Sequence, residues 1–224
     1  MTLATHKTPS AKVPYDDRHK WKLEIFHKGV VPDVLDCFPS IKLGLEVAYG
    51  NNIVKAGAQI PRNETVKVPT LKITNADSED SSKYTIIMDD PDLFVKNDPT
   101  GHVRHWLQTG LAASSDGVLE STEKPVTPYL ECAPGPGPAH RYVFILCREP
   151  SSSSYTSSLR DKYSSKSNTH DLKDRMGFYS QKFIDDEGLT VVGCTFMLVG
   201  TNASALADNL TLGAQALAHK VTGQ

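Results

Sequence analysis

A chain of 224 residues can bury a substantial core, and its 24 Lys plus Arg against 26 Asp plus Glu leave it near neutral. No basic stripe neutralises a phosphate backbone, which argues against nucleic acid as a partner, and no apolar run approaches the roughly 20 residues that span a bilayer. The polar segment Met1 to Lys20 has no apolar stretch of a secretion signal, so residues 21–224 are expected to form one cytoplasmic domain.

In chain order, the first predicted helix follows Asp16-Asp17, carries Trp21 and Ile25 on one face, and ends at Gly29 and Pro32. Alternating Leu43, Leu45, Val47 and Tyr49 predict a strand over Lys42 to Tyr49. Further strands are expected at Thr65 to Thr74, Tyr84 to Met88, His105 to Gln108, Tyr142 to Cys147 and Thr190 to Val199. The Ser-rich stretch Ser151 to Asn168 offers only Leu159 as an aliphatic anchor and predicts a mobile loop. Helices are predicted from Asp171 to Asp186 and from Ser204 to His219. Many strands with few helices lack the regular βαβ rhythm of a parallel sheet and point to a mainly β, antiparallel architecture with peripheral helices.

Cys37, Cys132, Cys147 and Cys194 lie far apart without metal or redox spacing, and read as buried free thiols. Asn63, Asn202 and Asn209 begin N-x-S/T sequons, which carry no weight without a secretion signal.

The densest polar constellation is Asp89-Asp90-Pro91-Asp92, where a strand leaves the sheet. Asp90 and Asp92 are two residues apart and can share a side, although Asp-Pro-Asp is also an ordinary backbone-capping turn. His105 and His140 each head a strand, and Tyr142 shares a strand face with His140. A carboxylate beside an imidazole favours its charged form, so these residues could form a pocket with a cationic floor for phosphate or carboxylate. The stiff Pro134-Gly135-Pro136-Gly137-Pro138 loop, with Pro91, Phe94 and Trp106, would wall it. Two His and two Asp also suit zinc or non-haem iron, but no metal or cofactor is expected. There is no G-x-S-x-G elbow, no Cys beside a His and no glycine-rich phosphate loop, so no nucleophile is assigned.

The segment Tyr84 to Asp92, followed by Asn97-Asp98-Pro99 and Arg104-His105-Trp106-Leu107, resembles the first signature of the phosphatidylethanolamine-binding protein family. Ala139-His140-Arg141-Tyr142-Val143-Phe144 resembles the second, and Arg175, Phe178, Phe183, Gly188-Leu189 and Val192 to Phe196 are similar to the closing helix and strand. That resemblance implies a β-sandwich of one large and one smaller antiparallel sheet with peripheral and C-terminal helices. It also implies a pocket of Asp90, Asp92, His105, His140 and Tyr142 for a phosphate-like or carboxylate ligand or a phospholipid headgroup. Leu93-Phe94, Arg104 and a short loop before His140 depart from the family pattern and bear on headgroup preference and pocket depth. The N-terminal pattern through Gly50 looks like the fungal branch that includes the carboxypeptidase Y inhibitor, implying a regulatory protein with a protease or kinase partner. The alternative is a biosynthetic enzyme, in which His105, His140 and Asp90 would do acid-base chemistry such as anhydride coupling.

Overall fold

The computed structural model describes residues 17–75, 81–93, 96–98, 100–135, 137–151, 155–163 and 172–201. Helix α1 (Asp17–His27) buries Ile25 and anchors its Trp21 indole through a 2.8 Å hydrogen bond to the Cys194 carbonyl. A left-handed Gly29 turns the chain into the short helical segment α2 (Val30–Asp33).

Three strands, β1 (Gly44–Tyr49), β2 (Asn52–Ile53) and β4 (Thr70–Thr74), form a small antiparallel sheet in the order β2-β1-β4. The strand expected from Thr65 is shorter because Arg62–Glu64 forms a 3-10 turn and Val66 and Val68 remain exposed. The larger sheet comprises β3 (Ala58–Gln59), β5 (Tyr84–Asp90), β6 (Val103–Ala113), β7 (Leu119–Glu120), β8 (His140–Arg148) and β9 (Thr190–Val199). Its order is β3-β9-β8-β5-β6-β7, antiparallel except where β3 runs parallel to β9. The architecture is therefore mainly β, as the sequence predicts.

The large sheet is covered on both faces, which is why β5 and β8 read as continuous apolar runs. Ile86, Met88, Tyr142 and Phe144 meet Val47, Leu71 and Ile73 of the small sheet in one core cluster. Ile87, Val143 and Ile145 point the other way and join Ile25, Val30, Leu159, Phe183 and Ile184 beneath the helices. The period-2 alternation of each strand sorts its side chains between these two cores.

Two expected segments differ. Within the stretch expected to be a loop, α3 (Tyr155–Tyr163) is a helix with Tyr155 and Leu159 buried and Tyr163 packed against the same core. Tyr155, Leu159 and Tyr163 recur every four residues, so two aromatic anchors supply the stripe that one aliphatic residue lacks. The helix expected from Asp171 is split into a 3-10 turn at Leu172–Asp174 and α4 (Ser180–Asp186). Between them Phe178 exchanges two backbone hydrogen bonds with His102, at 2.9 and 3.1 Å, which takes the chain out of helical geometry. The left-handed Gly177 permits that excursion, and a Cβ on Gly101 would come within 2.6 Å of the Gly177 backbone. The helix expected from Ser204 to His219 lies outside the described residues. Cys132, Cys147 and Cys194 are buried, but Cys37 is exposed, contrary to the expectation for all four.

Candidate functional site

At one end of the large sheet, Asp90 closes β5, His140 opens β8 and Tyr142 follows on the same face. His140 Nδ1 lies 3.0 Å from Asp90 Oδ2. The ring edge of His105 meets Tyr142 at a centroid distance of 5.1 Å, and His140 stacks over Tyr142 at 6.4 Å. His105 Nε2 stands 3.9 Å from Asp90 Oδ2. The structure thus brings Asp90, His105, His140 and Tyr142 together, all buried.

His105 reaches this cluster through an irregularity in β6. Met88 pairs with Trp106, but Asp89 pairs with Arg104, leaving His105 as an extra residue between them. Such a bulge re-aims a side chain. Strict alternation would have sent His105 to the side of Leu107, beneath the helices. Arg175, itself buried, donates through one terminal nitrogen to the carbonyls of His105 and Pro128, at 3.0 and 2.9 Å, and so clamps the bulge.

The two imidazoles differ in charge. His105 loses solvent on burial, which outweighs the Asp90 charge and lowers its pKa. Its Nδ1–H donates to the Leu130 carbonyl at 3.1 Å, and the ring is neutral at physiological pH. Burial also opposes charge on His140, but there the hydrogen bond and charge of Asp90, with Asp92 nearby, prevail and raise the pKa. Of the two histidines expected to carry charge, only His140 is shifted toward its charged form, and His105 is shifted away from it. Burial and the adjacent Asp90 push the Tyr142 hydroxyl well above its usual range and keep it protonated.

His140 Nε2 accepts the backbone N–H of Gly135 at 3.2 Å, so Pro134-Gly135 closes over the ring. The Thr201 hydroxyl donates to the Gly135 carbonyl from the end of β9. Pro91 is buried in the turn after β5, and Trp106 packs edge-on against Tyr129 at 5.9 Å in the inter-sheet core. Phe94 and Pro136, expected in the wall, lie outside the described residues.

Asp92 has a different task from Asp90. Its Oδ1 accepts Asn97 N–H and an Arg141 terminal nitrogen, both at 2.7 Å, while Oδ2 accepts Arg141 Nε at 2.8 Å and Arg141 N–H at 3.0 Å. Burial works against its charge, but the Arg141 hydrogen bonds and charge outweigh it and lower the Asp92 pKa. With four hydrogen bonds accepted inside the protein, this carboxylate is structural, not a free ligand group. Asp90 combines both readings of the motif: Oδ1 caps Asp92 N–H at 2.8 Å, while Oδ2 faces His140.

Arg141, which sequence reasoning did not single out, also donates to Asp33 Oδ2 at 2.7 Å and to the Lys28 and Gly29 carbonyls at 2.9 Å. A Cβ on Gly29 would sit 2.8 Å from Asp33 Oδ2 and 3.0 Å from Arg141, so this glycine serves both its left-handed turn and the ion pair. Among the described residues, no group of three or more His, Cys, Asp or Glu is arranged to hold a metal ion.

Comparison with known proteins bears on the family and the fold. A fungal relative from Talaromyces stipitatus, named Phomoidride biosynthesis cluster protein N, is 26% identical over 166 residues, covering 68% of this chain and 81% of the relative. The carboxypeptidase Y inhibitor, solved in complex with its cognate proteinase, superimposes with a TM-score of 0.65 at 20% identity, over 82% of this chain and 96% of that one. A phosphatidylethanolamine-binding protein from Plasmodium vivax gives a TM-score of 0.62 at 17% identity, over 80% of this chain and 97% of that one. At these identities the two structures establish the fold. The profile described as phosphatidylethanolamine-binding protein matches residues 46–191, which contain Asp90, His105, His140 and Tyr142, and the chain belongs to that family.

Proposed function

We propose that this chain is a regulatory binding protein that takes a phosphate-like or carboxylate group, such as a phospholipid headgroup, against His140. The observation that carries the reading is the pair of hydrogen bonds on that ring. Nδ1 is held by Asp90 at 3.0 Å, while Nε2 faces the N–H of Gly135 at 3.2 Å. In the neutral ring, Nε2 accepts from Gly135. Once Nε2 is protonated, two N–H donors point at each other, and an anion placed between them satisfies both. Protonation thus converts a closed loop contact into an anion site, and Asp90 stabilises the charge that binds.

The pH dependence has a definite sign. The raised pKa of His140 means that the charged ring persists above pH 6.5 and is lost as pH rises through the folded value, so anion affinity falls with rising pH. Inorganic phosphate and phosphoethanolamine should raise the melting temperature near pH 6 and do so less near pH 8. His140→Ala should remove most of that protection, whereas an equal ligand-induced shift in the variant would reject the assignment.

The carboxypeptidase Y inhibitor fold neighbour supports a protease as the regulated partner, which an inhibition assay against a serine carboxypeptidase tests. The biosynthesis-cluster relative favours a second reading in which Asp90 and His140 perform acid-base chemistry. A carboxylate ligand chemically altered by the wild-type protein, but not by His140→Ala, would select that reading.

A further inference from the structure

Asp89 and Asp90 are consecutive on β5 and so serve opposite faces of the large sheet. On the helix side, fully buried Asp89 accepts His102 Nδ1–H at 2.9 Å and the Ser180 hydroxyl at 2.5 Å, both on Oδ2. Its Oδ1 has no hydrogen-bond partner among the described residues. The bond to Asp89 fixes the His102 tautomer and leaves Nε2 outward. That nitrogen also lacks a partner among the described residues, although His102 is only 2% exposed.

His102 lies in a cleft of about 430 Å³ between α4 and the segment running from α2 to Asp36. Asp33, Asp36, Asp185 and Asp186 line it, against Lys182 as the lining side chain with a permanent positive charge. Lys182 is paired with Asp186 at 2.7 Å, and Asp33 with Arg141, but the Asp36 carboxylate accepts no hydrogen bond among the described residues. The Tyr179 ring, half exposed, stands 5.4 Å from His102 and forms an aromatic wall. An imidazole nitrogen acceptor at the cleft wall, surplus carboxylate and a π face all favour the same chemistry, a nitrogen cation with N–H donors.

We propose that this cleft is a second ligand site, taking an alkylammonium or guanidinium group that donates to His102 Nε2 and is balanced by Asp36 and Asp185. It is separate from the anion site and does not depend on it. The cation competes with a proton for Nε2. Facing His102 are Asp89 from β5, Asp33 and Asp36 from the α2 segment, Tyr179, and Ser180, Lys182, Asp185 and Asp186 from α4, while Arg141 from β8 and Asp90 from the opposite face of β5 act on it through charge alone. Burial and Arg141 oppose the charged ring, but Asp89 and Asp90 outweigh them and raise its pKa. Cation affinity therefore increases with pH, opposite to the anion site, by up to about tenfold per pH unit below that pKa.

The test is an NMR titration of the whole chain that follows the His102 ring nitrogens. Ethylguanidinium and cadaverine serve as free cations, and an acetylated, amidated Gly-Arg-Gly peptide presents the same group from a polypeptide. Saturable one-to-one binding that moves the His102 signals and tightens from pH 6 to pH 8 is expected. Tighter binding of the peptide would identify a protein side chain as the source, and equal binding a free amine. The Asp36→Asn/Asp185→Asn double variant changes exposed residues, so the fold is kept, and should raise Kd about threefold to fivefold, the scale of partly exposed ion pairs. His102→Phe should abolish saturable binding of ethylguanidinium, read for that variant by calorimetry, while His140→Ala should leave it intact. An unchanged Kd in the double variant, or affinity that falls with rising pH, would overturn the proposal.

Discussion

Asp92 and Asp90 stand two residues apart, yet one carboxylate is saturated by Arg141 and the Asn97 N–H, and the other holds an imidazole. Their shared motif was legible in the sequence, but the division of labour was not, because it depends on an arginine 49 residues downstream of Asp92. The buried pair predicts that Arg141→Met, which strands the Asp92 charge, lowers unfolding free energy by about 3–5 kcal/mol in a urea titration. A loss below about 1 kcal/mol would mean the pair is not structural. The Asp92 pKa lies below its usual value, so its contribution is present above the unfolded pKa of about 3.9 and disappears as pH falls through the folded one. Asp92→Asn should therefore flatten the acid limb of the stability profile, and an unaltered limb would place the lost protons elsewhere.

Among the elements, β6 departs furthest from its simple sequence pattern. His105, Trp106 and Leu107 suggest plain alternation, and a bulge cannot be read from such a short run. Arg175 shows how the tertiary structure enforces it, from a segment about 70 residues away along the chain. Replacing Arg175 with Met strands buried carbonyls and should cost about 2–4 kcal/mol, with a weaker phosphate response at the melting temperature because His105 loses its clamp. Stability within about 0.5 kcal/mol of wild type would show that the bulge holds without it. The stretch from Ser151 illustrates another limit of local reading. Helix α3 is polar in composition and becomes worth ordering only because Tyr155, Leu159 and Tyr163 find a core built by distant strands. Strands β5, β8 and β9 were legible because both faces of the central sheet are buried and their apolar runs are long.

For the molecule as a whole, the large sheet separates two polar clusters on successive residues of β5. Asp90, His140, His105 and Tyr142 open toward the inter-sheet side, and Asp89, His102 and Ser180 toward the helices. The first cluster could be anticipated because Asp90 and His140 sit at strand ends, Tyr142 shares a face with His140, and all four residues match family signatures. The second could not, since Ser180 lies 91 residues from Asp89 and meets it only after α4 packs. The core also predicts thiol chemistry: burial pushes Cys132, Cys147 and Cys194 up, whereas Cys37 is exposed. A thiol reagent should label one cysteine in the native protein and all four after denaturation, with Cys37 identified by peptide mapping. Rapid native labelling of the other three would contradict this packing.

Whether an anion meets the His140 nitrogen that faces Gly135 can be seen in a crystal structure of the phosphate complex grown near pH 6. A phosphate oxygen should lie within hydrogen-bond distance of His140 Nε2, with the Gly135 N–H turned from the ring to the anion. Phosphate bound elsewhere, with the Gly135 to His140 hydrogen bond still in place, would contradict it.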